Sequence, residues 1–198
     1  MSMFELVCVT HRGLCADDLP QRVAALCRGG VSKVILREKD LSEEEYEALA
    51  RQVLAAGGDK VVLHHFPQVC QKLGVPRLHL SLGQLEADPD LREQVKLLGV
   101  SIHAPEEAVR AQKLGADYVT AGHVFATDCK KGLPGRGLPW LEGVVKAVSI
   151  PVYAIGGIGP DNLAAVARTG AAGACLMSAF MACPDPQTYV EGLRQITD

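Results

Sequence analysis

Eight short apolar runs, each followed by an amphipathic stretch, limit the folds that this chain can adopt. The runs are continuously apolar rather than alternating, which is typical of parallel strands covered on both faces. We predict strands at Leu6–Val9, Val34–Leu36, Val61–Leu63, Leu78–Leu80, Val100–Ile102, Tyr118–Ala121, Val152–Ile155 and Gly173–Leu176. The stretches between them predict about eight helices, in strict alternation with the strands.

Capping residues mark the predicted helix ends. Ser42 and Glu45, three residues apart, predict a capping box at the start of one helix. The pair Gly57-Gly58 predicts a left-handed cap at the end of the same helix. Pro160 suits the first turn of a later helix. These signals support the assignment of helices between the apolar runs.

The alternation predicts a (β/α)₈ TIM barrel, with residues 1–198 as a single domain. No linker or change of composition divides the chain. Its 198 residues are few for this fold, so we expect tight loops. An open, doubly wound parallel sheet is the alternative that the same alternation permits.

Composition and charge exclude several classes of partner. The net charge is −3, from 20 basic and 23 acidic residues, so we expect no nucleic-acid partner. No apolar run approaches the roughly 20 residues that span a bilayer, and we find no signal peptide, so we expect no membrane partner. The seven cysteines include no Cys-x-x-Cys pair, which favours a reducing cytoplasm. The oligomeric state stays open, a homo-oligomer included.

A phosphate site is predicted at the ends of the seventh and eighth strands. The segment AIGGIGP contains Gly156 and Gly157, and GACLMS ends in Met177 and Ser178. Glycines let backbone amides approach an anion, and barrels often bind phosphate at these two strand ends. The third glycine of a dinucleotide G-x-G-x-x-G fingerprint is missing here, which favours a phosphorylated small molecule. The alternative is that the glycines merely make tight turns.

Charged and acid–base residues end two other predicted strands. Arg37, Glu38 and Lys39 follow the second strand and are candidates to hold a second anionic group of the substrate. A solvated run of charges is the alternative. His123 ends the sixth strand, and an imidazole suits proton transfer near neutral pH. A structural histidine is the alternative there.

Two further features need interpretation. A ring of histidines at predicted strand ends is a candidate metal site, but no acidic residue accompanies it at ligand spacing, so we expect no metal and no cofactor. Its members are His11, His64, His65, His103 and His123. The glycine-rich loop at residues 126–137 contains Thr127, Lys130 and Arg136, and we expect it to be a mobile basic lid.

Several motifs together resemble the thiamine phosphate synthase/TenI superfamily, over nearly the whole chain. The motifs are ILREKD at Ile35–Asp40, GVSIH at Gly99–His103, DYVTAGHVFATDCKKGLPGRG at Asp117–Gly137, PVYAIGGIGPDN at Pro151–Asn162, and GACLMS at Gly173–Ser178. The synthases of this superfamily join a hydroxymethylpyrimidine diphosphate to a thiazole phosphate. They use magnesium, held by aspartates after the third and fourth strands.

This chain departs from the synthase pattern at the positions that bind the metal. His64 and His65 stand where the third strand should be followed by a metal-binding aspartate, and the fourth strand places no aspartate in register. Ile35 replaces a glutamine of the synthases. The diphosphate-binding pattern is nevertheless matched at Arg37, Lys39, Ser101 and Lys130.

Residues 122–137 match the pattern of TenI-type thiazole tautomerases. This resemblance implies that His123 is the acid/base and that a carboxythiazole phosphate is aromatised without a metal. The substrate-binding residues expected are Arg37, Lys39, Ser101, Thr127, Lys130, Gly156, Gly157, Met177 and Ser178. Two alternatives stay open: a thiamine-phosphate synthase, and a non-catalytic barrel that binds phosphorylated metabolites.

Overall fold

A computed structural model describes residues 3–127 and 132–197 of the chain. Its eight strands are parallel and form a closed barrel in chain order. The strands are β1 Glu5–Val9, β2 Lys33–Leu36, β3 Val61–His64, β4 Arg77–Ser81, β5 Leu97–Ile102, β6 Tyr118–Gly122, β7 Val152–Ile155 and β8 Gly173–Leu176. The predicted (β/α)₈ barrel is confirmed. The doubly wound alternative is wrong, because β1 pairs with β8 and leaves no sheet edge.

Helices surround the barrel, and their alternation with the strands is not strict. They are α1 Leu19–Gly29, α2 Glu43–Gly57, α3 Pro67–Leu73, α4 Leu82–Ala87, α5 Pro105–Lys113, α6 Leu138–Ala147, α7 Pro160–Arg168, α8 Ser178–Ala182 and α9 Pro186–Thr197. Two of them follow β8. The short α8 turns the chain at the barrel mouth, and α9 packs against α1 and α7 to complete the outer layer. None of the described helices is long and apolar enough to cross a membrane.

The predicted capping box is confirmed, but the predicted glycine cap has another form. Ser42 Oγ accepts a hydrogen bond from Glu45 N at 3.3 Å, and Ser42 N donates to Glu45 Oε2 at 2.9 Å. Gly58 has φ +56° with ψ −132°, which lies outside the left-handed helical region. It starts a 3₁₀ turn that ends at Lys60 and leads into β3.

Two apolar layers follow from the period-2 alternation of the strands. Residues such as Leu6 and Leu36 face the helices, where most of the buried residues lie. Val7, Ile35 and Cys175 face the barrel interior instead, beside buried tyrosines. The strand residues of this second layer therefore point into the barrel. Near the carboxyl ends of the strands, the same alternation directs side chains into the barrel mouth.

Candidate functional site

A cavity of about 430 Å³ opens at the carboxyl ends of the strands, and every strand contributes to its wall. This volume suits a small metabolite. Nine predicted site residues line it: Arg37, Lys39, Ser101, His123, Thr127, Gly156, Gly157, Met177 and Ser178. The tenth, Lys130, lies outside the described residues. The structure therefore brings the described part of the predicted site together at one barrel mouth.

Arg37 and Lys39 line the cavity, whereas Glu38 between them does not. The Glu38 carboxylate is buried and accepts hydrogen bonds from Thr10 Oγ1 at 2.7 Å and from the backbone and guanidinium of Arg12. Thr10 Oγ1 in turn accepts the backbone N–H of Arg37 at 2.9 Å. The expectation that all three charged residues hold an anion is therefore wrong for Glu38, which anchors the backbone that presents its two neighbours.

The Gly156-Gly157 loop packs directly against the end of β6. Gly156 has φ +105°, and a Cβ there would lie 2.4 Å from His123 Cβ and 2.8 Å from His123 Cα. Gly157 has φ +64°, and a Cβ there would lie 2.4 Å from the carbonyl oxygen of Ala126. Asn162 Nδ2 donates to the Gly157 carbonyl at 2.9 Å and steadies the turn. Both glycines are needed for backbone conformation and close approach, and both lie on the cavity wall.

Replacing Gly156 by alanine should lower the free energy of unfolding by about 2 kcal/mol, because the new methyl group meets backbone and φ is unfavourable. It should also weaken binding at the predicted phosphate site, since the loop must move away from His123. Urea unfolding and calorimetric titration with inorganic phosphate measure the two effects. Gly143→Ala in α6 is the matched control, because nothing lies within 4 Å of that position. Equal stability and equal phosphate binding for both variants would contradict the expectation.

His123 is half-buried, and one of its ring nitrogens is engaged. Nε2 lies 3.1 Å from the carbonyl oxygen of Pro134. A carbonyl oxygen can only accept, so Nε2 carries the hydrogen of this bond. In the neutral imidazole Nδ1 is then the basic nitrogen. The bond therefore selects the atom that can take up a proton.

The end of the glycine-rich loop returns to the same place. Arg136 N donates to the His123 carbonyl at 3.1 Å, and Gly137 N donates to the Val124 carbonyl at 2.8 Å. A Cβ on Gly135 would lie 2.6 Å from Phe125 Cα, so this glycine permits close packing. Residues 128–131, between the two halves of the loop, are outside the described residues. The lid stays a prediction.

Four buried or half-buried polar residues, which were not predicted to be neighbours, form a hydrogen-bonded cluster inside the barrel. Three of them, His79, Ser101 and Thr120, line the cavity. His79 Nδ1 lies 3.0 Å from Tyr118 Oη, and His79 Nε2 lies 2.8 Å from Ser101 Oγ. Thr120 Oγ1 donates to Ser101 Oγ at 3.2 Å. Only Ser101 among them is a predicted site residue. The available signal was alternation: His79 lies between two leucines that face the helices, so it must face inward.

His79 and its neighbour His64 are held neutral. Burial, reinforced by the positive charge of Lys39, lowers the pKa of His79 to about 3. Burial also lowers the pKa of His64 to about 2, with further contributions from His79, Lys39 and Arg37. The two rings stack with centroids 5.8 Å apart. Both imidazoles are therefore uncharged hydrogen-bonding groups near pH 7.

The histidine ring predicted as a candidate metal site is divided. His64, His103 and His123 line the cavity, whereas His11 and His65 do not. Within residues 3–127 and 132–197 no three histidine, cysteine or acidic side chains are arranged to hold a metal ion.

The magnesium that the superfamily's synthases use does not fit the described donors. Glu107 supplies the only carboxylate among the described residues of the cavity wall. Its Oε2 accepts the backbone N–H of His103 at 2.6 Å. Magnesium takes carboxylate and other oxygen ligands, usually with several waters, and imidazoles suit other metals. The donor set of this wall is suited to hydrogen bonding and proton transfer.

Known proteins resemble this chain along nearly its whole length. The family model described as thiamine monophosphate synthase matches residues 6–180. The thiamine-phosphate synthase of Syntrophomonas wolfei is 34% identical over 202 aligned positions, which cover 98% of this chain and 97% of that protein. The thiamine-phosphate synthase of Thermus thermophilus is 32% identical and covers 96% of this chain and 94% of that protein.

A solved structure agrees with these relatives. The thiamine phosphate pyrophosphorylase from Pyrococcus furiosus superposes with a TM-score of 0.83 at 28% identity, covering 99% of this chain and 96% of that one. The sequence match extends from β1 into α8 and so includes the described strand ends that form the cavity. The chain therefore belongs to the thiamine phosphate synthase/TenI family.

Proposed function

We propose that this protein is a thiazole tautomerase of thiamin biosynthesis, which aromatises a carboxythiazole phosphate by moving a proton. The observation that carries the proposal is the chemistry of the cavity wall. It combines several imidazoles and two basic side chains with a single described carboxylate, Glu107. Such a wall can bind an anionic ligand and transfer protons, and a tautomerisation breaks no bond to phosphorus.

Each group has a distinct role in this proposal. The backbone of Gly156, Gly157, Met177 and Ser178 binds the phosphate. Thr127, on the same cavity wall, and Lys130, outside the described residues, are further candidates to bind the substrate. Arg37, Lys39 and Ser101 hold the carboxylate end. His123 accepts a proton from the substrate carbon at Nδ1 and returns it to another ring position. No atom is gained or lost overall, so the imidazole ends the cycle neutral.

A second candidate is the transfer reaction of a thiamine-phosphate synthase, and the comparisons favour it over the tautomerase. The related proteins from S. wolfei and T. thermophilus carry that name. They are 34% and 32% identical to this chain and align with nearly its whole length. The match of Arg37, Lys39, Ser101 and Lys130 to the diphosphate-binding pattern also favours it. The poor fit of the described wall to magnesium weighs against it.

Two assays of the wild-type protein separate the candidates. In the first, a carboxythiazole phosphate is incubated with protein and a chelator, and the aromatic product is followed by ultraviolet absorbance and by deuterium uptake from ²H₂O. In the second, hydroxymethylpyrimidine diphosphate and thiazole phosphate are incubated with protein and magnesium, and thiamine phosphate is measured. Aromatisation that survives the chelator supports the proposal. Thiamine phosphate above the protein-free background, without aromatisation, supports the second candidate, and tight binding without either product supports the non-catalytic barrel.

A further inference from the structure

We propose that Tyr118 and His79 form a hydrogen-bond relay that commits the Ser101 hydroxyl to donate its hydrogen to an anionic group of the ligand. The two residues act through Ser101 and are positioning residues. The inference rests on the proposed function, in which Ser101 contacts the ligand. It adds the reason why Ser101 is the donor in that hydrogen bond. It holds for either a carboxylate or a phosphate oxygen.

The relay starts at the phenol of Tyr118. This side chain is buried in the barrel, and among the described residues its hydroxyl bonds only to His79 Nδ1, at 3.0 Å. Burial raises the pKa of Tyr118 well above its usual range, so the hydroxyl keeps its hydrogen. A buried hydroxyl with a single acceptor in reach donates to it, because an unused donor is costly. Tyr118 therefore donates to His79 Nδ1.

That direction determines the tautomer of His79. A neutral imidazole that accepts at Nδ1 carries its hydrogen at Nε2. Nε2 lies 2.8 Å from Ser101 Oγ, so His79 donates to Ser101. The opposite tautomer would leave the Tyr118 hydroxyl without an acceptor among the described residues.

Ser101 is then saturated as an acceptor. Its Oγ accepts from His79 Nε2 and from Thr120 Oγ1 at 3.2 Å, which uses both lone pairs. Thr120 Oγ1 also lies 3.5 Å from His79 Nε2, but that nitrogen carries a hydrogen and cannot accept. The hydrogen of the Ser101 hydroxyl remains for the cavity, which Ser101 lines. A hydroxyl that can only donate favours an anionic ligand oxygen, which accepts hydrogen bonds, over a ligand group that donates them. Lys39, which lowers the pKa of His79 through its charge, acts on the same region.

The barrel interior is shaped around this relay. A Cβ at Gly99 would lie 2.1 Å from Tyr118 Cζ and 2.4 Å from His79 Nδ1, so only glycine leaves room for the pair. Tyr153 packs edge-on against the Tyr118 ring at 5.4 Å. The His64 ring stacks on the His79 ring. These contacts hold the phenol and the imidazole in the geometry that the relay needs.

The tautomer is read directly by nitrogen NMR of the full-length protein labelled with ¹⁵N-histidine. We expect His79 near pH 7 to show a protonated Nε2 and an unprotonated Nδ1. In Tyr118→Phe, which keeps the ring but removes the donor, the Nδ1-protonated form should gain population. A wild-type spectrum with the hydrogen on Nδ1 would overturn the relay, whatever the protein's activity.

Ligand binding tests the consequence. We expect Ser101→Ala and Tyr118→Phe each to weaken calorimetric binding of a carboxythiazole phosphate by roughly 10- to 150-fold, the range of a net hydrogen bond to a charged group. Tyr153→Phe is the matched control and should stay within about 2-fold. It removes another interior phenol hydroxyl, which bonds to Glu5 and Lys33, away from the cavity.

The outcomes separate this inference from the proposed function. Weaker binding in Ser101→Ala with unchanged binding in Tyr118→Phe would overturn the relay and leave Ser101 as a ligand contact. Unchanged binding in Ser101→Ala would overturn the contact and the relay's role together. The second result would also remove Ser101 from the residues proposed to hold the carboxylate. Neither result bears on the proposed reaction, which depends on aromatisation by the wild-type protein.

Discussion

Replacing His123 by alanine is expected to reduce the aromatisation rate of a carboxythiazole phosphate by about 10²- to 10⁴-fold, the usual contribution of one general acid/base. Binding of the ligand should persist, because the residues proposed to hold its phosphate and carboxylate are unchanged. The rate is measured from ultraviolet absorbance under saturating ligand, and binding is measured by calorimetry. A large fall in kcat with a small change in affinity is the expected signature.

A second substitution separates proton transfer from structure. His123→Gln can keep a donor toward the Pro134 carbonyl, which His123 Nε2 contacts at 3.1 Å, but it has no basic nitrogen. We expect its kcat to fall as far as that of His123→Ala. Recovery of most of the activity in the glutamine variant would show that His123 supports the loop. Wild-type turnover in both variants would remove His123 from the mechanism.

The free energy of unfolding is expected to fall by roughly 2.5 kcal/mol when the pH is lowered from 7.5 to 5.5. The pKa values of His64 and His79 are lowered by burial to about 2 and about 3 in the folded protein. In the unfolded chain both histidines titrate near pH 6.5. Below that pH these two histidines are protonated in the unfolded chain but not in the folded barrel. The free energy of unfolding that they contribute above pH 6.5 is therefore lost as the pH falls.

Urea unfolding at a series of pH values measures this loss. His79→Gln removes one of the two buried imidazoles and should reduce the loss to about half, apart from any change in stability at pH 7.5. His11→Gln is the matched control, because it removes an imidazole that does not belong to the buried pair, and comparison with it isolates the contribution of His79. A wild-type curve that is flat between pH 7.5 and 5.5 would show that the two rings take up protons without unfolding.

Local pattern was sufficient to predict the barrel and most of its mouth. Continuous apolar runs place the strands, and in a parallel barrel every carboxyl end meets at one face. His123, Gly156 and Ser178 could therefore be predicted as neighbours, although long stretches of sequence separate them. Glu38 was misassigned because the charge run was taken as a unit, whereas side-chain alternation turns its carboxylate toward Thr10 and away from the cavity.

Strand lengths were predicted less well than strand positions. β5 begins at Leu97, three residues before the predicted start. Its pairing with β4 extends to the N-terminal side of Gly99, where Leu97 pairs with Arg77. The second helix after β8 was also not predicted as an extra element. α9 packs between α1 and α7 and so closes the outer layer of helices.

The sequence alone determined the fold class, the family resemblance and most of the residues proposed for the site, because hydrophobic periodicity and strand-end position are local properties. The tertiary structure decided which atoms of those residues are available for chemistry. Pro134 selects Nδ1 of His123, and the contacts of His79 with Tyr118 and Ser101 set a donor toward the cavity. These contacts depend on strand register and on the packing of a returning loop. Hydrogen-bond direction is decided by which partners those contacts bring within reach.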